Sequence, residues 1–166
     1  MKTLAFATLA AFALFGITPA MAADNIPAGR IYASVNEADM AAIISAEGHV
    51  IDEMHPFENP SVRGKTTDGL VFVLIGTACD VGTIKGCQGI MMQVRYDSDD
   101  TVTTEGTNAS NLNEAALSAW WDKEGKTVGF TRYVILDDGV TFMNLRKNLS
   151  AMLDIVDNAQ GYVFPE

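Results

Sequence analysis

Apolar positions along this chain fall into two rhythms, one of strands and one of helices. Between residues 90 and 97, Ile90, Met92, Val94 and Tyr96 alternate with Met91, Gln93, Arg95 and Asp97, the two-residue period of a strand with two different faces. Residues 70–75 form a continuous β-prone run just before it, and residues 127–136 predict a further strand with Val128, Phe130 and Val134 in phase. After the turn Asp137-Asp138-Gly139 the spacing lengthens. Phe142, Leu145, Leu149, Met152, Leu153 and Val156 trace one stripe of a last helix, the best-determined element of the chain.

A first helix opens at Ser34-Val35-Asn36-Glu37, where a hydroxyl and a carboxylate stand at capping-box spacing; it buries Met40, Ile43 and Ile44 and ends at Gly48. Residues 50–54 and 61–65 fit short strands on either side of a turn between Pro56 and Pro60, and Asp68-Gly69 reads as a tight turn. A middle helix is expected from Ser110 or Asn111 to Glu124-Gly125, with Leu112, Ala116, Ala119 and Trp120 on one face. The least ordered parts are expected at residues 23–29 and 97–108. The sum is an α+β domain, an antiparallel sheet of about four to five strands packed with three helices.

The beginning of the chain follows a different logic. Lys2 is followed by an apolar stretch from residue 4 to 17 without a charge, then by Thr18-Pro19 and the small-residue site Ala20-Met21-Ala22, the pattern of a cleavable secretory signal over residues 1–22. The apolar stretch is shorter than the ~20 residues a spanning helix needs, and no later segment predicts a membrane span. Residues 23–166 are then one domain, periplasmic or secreted. Losing Lys2 and no acid moves the formal charge from −10 to −11. That charge repels phosphate backbones and anionic lipid, so nucleic acid is not an expected partner.

Export changes the meaning of the cysteines Cys79 and Cys87. The segment between them contains Gly82 and Gly86 and lies between two predicted strands, so the pair faces itself across a hairpin mouth and is expected to close as a structural disulfide. Redox or metal chemistry is the alternative, but seven intervening residues match neither a C-x-x-C motif nor a zinc knuckle.

Four features from about residue 70 to 163 resemble the YbjN domain, a bacterial family described as sensory transduction regulators and related in fold to type III secretion chaperones. A hydrophobic strand runs into Cys79, and a second cysteine leads the strand from Cys87 to Tyr96. A tryptophan-bearing helix follows from Asn113 to Trp121, and Gly139-Val140-Thr141 with Asn144-Leu145 opens the final helix. Two departures stand out. The family usually shows an Asn-x-Trp-Asn type of pattern where this chain has Ser118-Ala119-Trp120-Trp121. It also often has two strands between the middle and last helices, where the pattern here shows one, so the sheet is expected to be one strand smaller. The resemblance implies a chaperone-like fold and a binding or regulatory role, without an enzyme mechanism or cofactor.

The residues themselves add few candidates for chemistry. His49 and His55 bracket Asp52 and Glu53, which leaves a metal site or an unrecognised enzyme centre there as the alternative to a solvated, turn-rich segment. Asp97-Ser98-Asp99-Asp100 lacks the ligand spacing and closing glutamate of a calcium loop. Nucleophile elbow, Walker loop and dinucleotide fingerprint are absent from the sequence. A binding surface is better represented. Adjacent tryptophans cannot both enter one core, so Trp121, off the middle-helix stripe, is the anchor candidate beside Trp120. Arg132 is in phase with Val128, Phe130 and Val134, which puts a cation on an apolar face, for a structural ion pair or a partner's carboxylate. The expected function is an exported YbjN-like module that binds an envelope protein, with a homodimer as one assembly.

Overall fold

A computed structural model describes residues 26–164. The expected signal at residues 1–22 lies outside them, as do residues 23–25. In chain order the elements are β1 (Ile31–Tyr32), α1 (Glu37–Ala46), β2 (Val50–Met54), β3 (Ser61–Lys65), β4 (Val71–Cys79), β5 (Cys87–Asp97), α2 (Thr104–Asn113), β6 (Ser118–Asp122), β7 (Thr127–Ile135), β8 (Val140–Thr141) and α3 (Phe142–Val163). Six strands form one antiparallel sheet in the order β2-β3-β4-β5-β7-β6, and β1 pairs with β8 as a separate two-stranded ribbon.

The alternation of β5 sorts the sheet into two faces. Ile90, Met92 and Val94 stand opposite Val134, Arg132 and Phe130 of β7 on one side of β5, and opposite Gly76, Leu74 and Phe72 of β4 on the other. All but Arg132 are buried, and they meet Met40, Ile43 and Ile44 of α1 and Leu145, Leu149, Met152 and Val156 of α3 in one core. Burial of each large aliphatic side chain stabilises by about 1.5–3 kcal/mol. The helices pack on this side: α1 on β2 and β3, α3 across β5 and β7, and α2 on β6 and the α3 surface. Among the described residues, no helix packs on the other face of the sheet.

Several expectations need correction. The sheet is larger than four or five strands because residues 118–122, expected as helix, form β6. Leu117, Ala119 and Trp121 face the core with a period of two, and pairing of Ala119 with Phe130 and Trp121 with Val128 overrides the weak helical spacing of Leu112, Ala116 and Ala119. Two strands of the six-stranded sheet, β6 and β7, therefore stand between α2 and α3 where one was expected, followed by the two-residue β8 of the ribbon. The middle helix lies earlier: residues 104–108 of it fall in the segment expected to be disordered, and only its last residues, 110–113, overlap the expected helix. Thr103 caps it by accepting from the Gly106 amide, and Ser110 is its one buried residue, so no apolar stripe announced it.

Residues 26–29 are also ordered: Ile26 packs on the core, and the Ala28 and Arg30 carbonyls accept from the Met143 and Phe142 amides that open α3. The capping box of α1 sits two residues later than expected. Asn36 accepts from the Asp39 amide and Asp39 accepts from the Asn36 amide, each at 3.0 Å. The strands at residues 50–54 and 61–65 stand where the sequence placed them.

Candidate functional site

The helix-free face is built from the odd phase of β5. Gly89, Met91, Gln93 and Arg95 project there, beside Val73, Ile75 and Thr77 of β4 and beside Thr131, Tyr133 and Ile135 of β7. Cys79 and Cys87 close the β4–β5 hairpin at one end as a disulfide.

A fixed polar chain crosses the centre of this face. The Trp120 indole N–H of β6 donates to Thr131 Oγ1 at 2.9 Å, and Gln93 Nε2 donates to the same oxygen at 2.9 Å. The Gln93 carbonyl oxygen then accepts from Arg95 Nε at 2.9 Å and Nη2 at 2.6 Å. Indole and guanidinium can only donate, so the amide orientation of Gln93 is determined by its neighbours. Gln93 is 5% exposed, a buried polar side chain with both ends satisfied.

Arg95 is flanked by aromatic rings from both directions across the sheet. Its guanidinium carbon lies 4.9 Å from the centroid of Phe57, from the β2–β3 loop, and 5.8 Å from that of Trp120. Gly129 makes the second contact possible: it pairs with both Arg95 and Trp120, and a side chain there would collide with the indole ring. Glu37 of α1 holds the loop that carries Phe57, accepting from the Ser61 amide at 3.0 Å and contacting His55 Nδ1 at 2.6 Å. Burial pushes the Glu37 carboxyl up, but the bonds from His55 and Ser61 outweigh it and hold the group below the usual glutamate value.

Arg95 makes no ion pair among the described residues. By contrast Arg63, on the same face, is paired with Glu53 and lies 3.9 Å from Asp52. Partial burial lowers the Arg95 pKa from its ordinary value, which still leaves a guanidinium charged at neutral pH. A cleft of about 160 Å³ adjoins it, lined by Phe57, Arg63, Val71, Phe72, Val73, Gln93 and Arg95.

The two tryptophans of the sequence reading part company here. Trp120 belongs to the helix-free face. Trp121, the expected anchor, turns to the helix side, partly buried against the core, with Lys123 Nζ 5.4 Å from its ring centroid. Arg132 also lies on the helix side, where Nε donates to Asn148 Oδ1 at 2.6 Å and Nη1 to the Ala116 carbonyl at 2.8 Å. It ties β7 to α3 and to the loop before β6. His49 packs edge-on against Phe72, with ring centroids 5.5 Å apart, while His55 contacts Glu37. No group of three or more His, Cys, Asp or Glu side chains that could hold a metal ion occurs among the described residues.

No protein-family model matches the chain, and no curated protein matches it significantly. Among solved structures it is similar to a chain of the ExsC–ExsE complex, at 10% identity over 66% of this chain and 80% of that one, with a TM-score of 0.47. It is also similar to a chain of the HopA1–SchA chaperone–effector complex, at 10% identity over 76% and 94%, with a TM-score of 0.48. Scores at this level record a likeness of arrangement and establish no shared activity.

Arg95, Gln93 and Phe57 are not among the residues singled out from the sequence. A signal was present for Arg95, since the alternation of β5 already set it on the face opposite Ile90, Met92 and Val94. Gly129, inside a run of β-formers and close to the tryptophan pair, was the second signal. Nothing local ties Phe57 to either.

Proposed function

We propose that this protein is an exported binding module, YbjN-like in character, that engages a partner protein of the cell envelope through the helix-free face of its sheet. The observation that carries the reading is Arg95: a cation in an acidic protein, held by Gln93, flanked by Phe57 and Trp120, and without a carboxylate partner among the described residues. Aromatic and arginine side chains around a small apolar cleft are the composition of protein-binding hot spots. The two strands of the six-stranded sheet between α2 and α3, β6 and β7, agree with the pattern expected from the YbjN resemblance. Export is supported by the leader pattern of residues 1–22 and by the bonded Cys79–Cys87 pair. Binding, not catalysis, is the role proposed, and Trp120 belongs to the contact surface. Trp121 and Arg132 support that surface from behind the sheet.

Site-specific photocrosslinking in intact cells tests this. A crosslinker at Tyr133, 50% exposed on the helix-free face, is expected to capture one envelope polypeptide that the same group at Leu112, 76% exposed on α2, does not. The purified pair should then bind at fixed stoichiometry, with Trp120→Ala weakening binding about tenfold or more. Capture from both positions alike, or only self-crosslinks from Tyr133, would reject an envelope partner on this face.

A further inference from the structure

The chemistry that Arg95 is prepared to meet can be read from what its neighbours leave open. A guanidinium has five N–H donors. Gln93 takes one from Nε and one from Nη2, so both Nη1 hydrogens and one on Nη2 have no partner among the described residues. The unsatisfied edge is the Nη1–Nη2 end of the fork, whose spacing matches the two oxygens of a planar carboxylate. Gln93 holds the other edge and the rings of Phe57 and Trp120 crowd the group, so little rotamer freedom remains to be lost when an anion docks.

Charge and size narrow the ligand further. Arg63, the other cation lining the cleft, is already offset by Glu53 and Asp52, so among the described residues the cleft presents one free positive charge. A phosphate dianion needs more compensation than that in a chain of net charge −10, whereas a carboxylate needs one cation. The cleft beside the fork has Phe57, Val71, Phe72 and Val73 in its wall, and about 160 Å³ suits one apolar side chain, well below the ~300–1,000 Å³ of sites that enclose a whole small molecule.

The geometry points to a polypeptide carboxylate as the group recognised: an acidic side chain or a chain terminus of the partner protein on the Arg95 fork, with a neighbouring apolar side chain in the Phe57–Val73 cleft. This rests on the proposed docking face and adds to it the chemistry of the anchor.

The test uses small probes on the purified protein, read by NMR at the Trp120 indole N–H and the Arg95 Nε–H. N-acetyl-phenylalanine carries a carboxylate beside an aromatic side chain, and N-acetyl-phenylalaninamide carries the same side chain without the charge. The acid is expected to give saturable shifts at both signals, and the amide to bind about tenfold or more weakly. Arg95→Gln should abolish the difference between acid and amide, Arg95→Lys should restore only part of it, and inorganic phosphate should leave both signals in place. Equal binding of acid and amide, no shift with the acid, or a preference for phosphate would each overturn the carboxylate assignment. A captured partner whose binding survives Arg95→Gln would also overturn it, yet leave the docking face standing. Loss of face-specific capture, with the acid still preferred, would instead reject the docking reading.

Discussion

Arg95 and Arg132 lie on adjacent strands and point to opposite sides of one sheet. Arg132 donates to Asn148 and to the Ala116 carbonyl, so Arg132→Ala leaves two part-buried acceptors without their charged donor and is expected to cost about 1.5–3 kcal/mol in urea unfolding. Arg95→Gln alters an exposed side chain, and a glutamine amide can in part replace the donors to the Gln93 carbonyl oxygen, so the cost should be smaller, about 0.5–1.5 kcal/mol. Equal losses would make Arg95 a structural residue. Gly129→Ala probes the same surface differently, since a methyl group there collides with the Trp120 ring; displacement of the indole should cost about 1–3 kcal/mol and remove its bond to Thr131, seen as a shift of the indole N–H signal. Much of this was legible along the chain: the outward direction of Arg95 and the inward direction of Arg132 both follow from alternation. What no local pattern could supply was the bond partner, because Phe57, Gln93, Thr131 and Trp120 come together only through strand order.

Among the elements, α1 and α3 are joined by a partly buried acid at the C-terminal cap of α1. Glu47 accepts from Arg146 Nε and from Ser150 Oγ, each at 2.6 Å. Burial pushes its carboxyl up, but those two bonds and the charges of Arg146 and Lys147 outweigh it and hold the group below the usual glutamate range. A carboxyl depressed by folding stabilises the native state above its unfolded pKa of about 4.3, and that contribution is lost as pH falls through the lower folded value. Glu47→Gln is therefore expected to lower stability at pH 7 by about 1.5–3 kcal/mol and to flatten the acid limb of a urea-midpoint profile below pH 4.3. At the β4–β5 hairpin, Cys79→Ser with Cys87→Ala should cost about 2.5 kcal/mol by the loop-entropy argument, again in urea, with far-UV circular dichroism unchanged. The hairpin and α3 were readable because long periodic runs carry them. The α2–β6 region was misread since α2 is polar nearly throughout, and the bonds that stabilise this corner are side chain to backbone: Asn111 accepts from the Ala119 amide and donates to its carbonyl. In this way Asn111 also occupies hydrogen-bonding groups along the outer edge of β6.

At the scale of the whole molecule, stability should be graded across the sheet. Strand β2 is exposed along its length and, among the described residues, pairs on one side only, whereas β5 lies between β4 and β7 beneath α3. Hydrogen exchange is expected to be fastest in β2 and slowest in β5 and β7, and uniform protection would contradict that gradient. The first-turn amides of α3 are satisfied by Ala28 and Arg30, so the longest helix is finished by some of the first residues of the fold. A ribosome releases the chain in the opposite order. Phe72, Leu74, Ile90 and Met92 are synthesised well before the helix that covers them, and throughout that interval the nascent sheet keeps an uncovered oily side. For this topology, the waiting period before α3 emerges is the stage at which a folding helper would matter most.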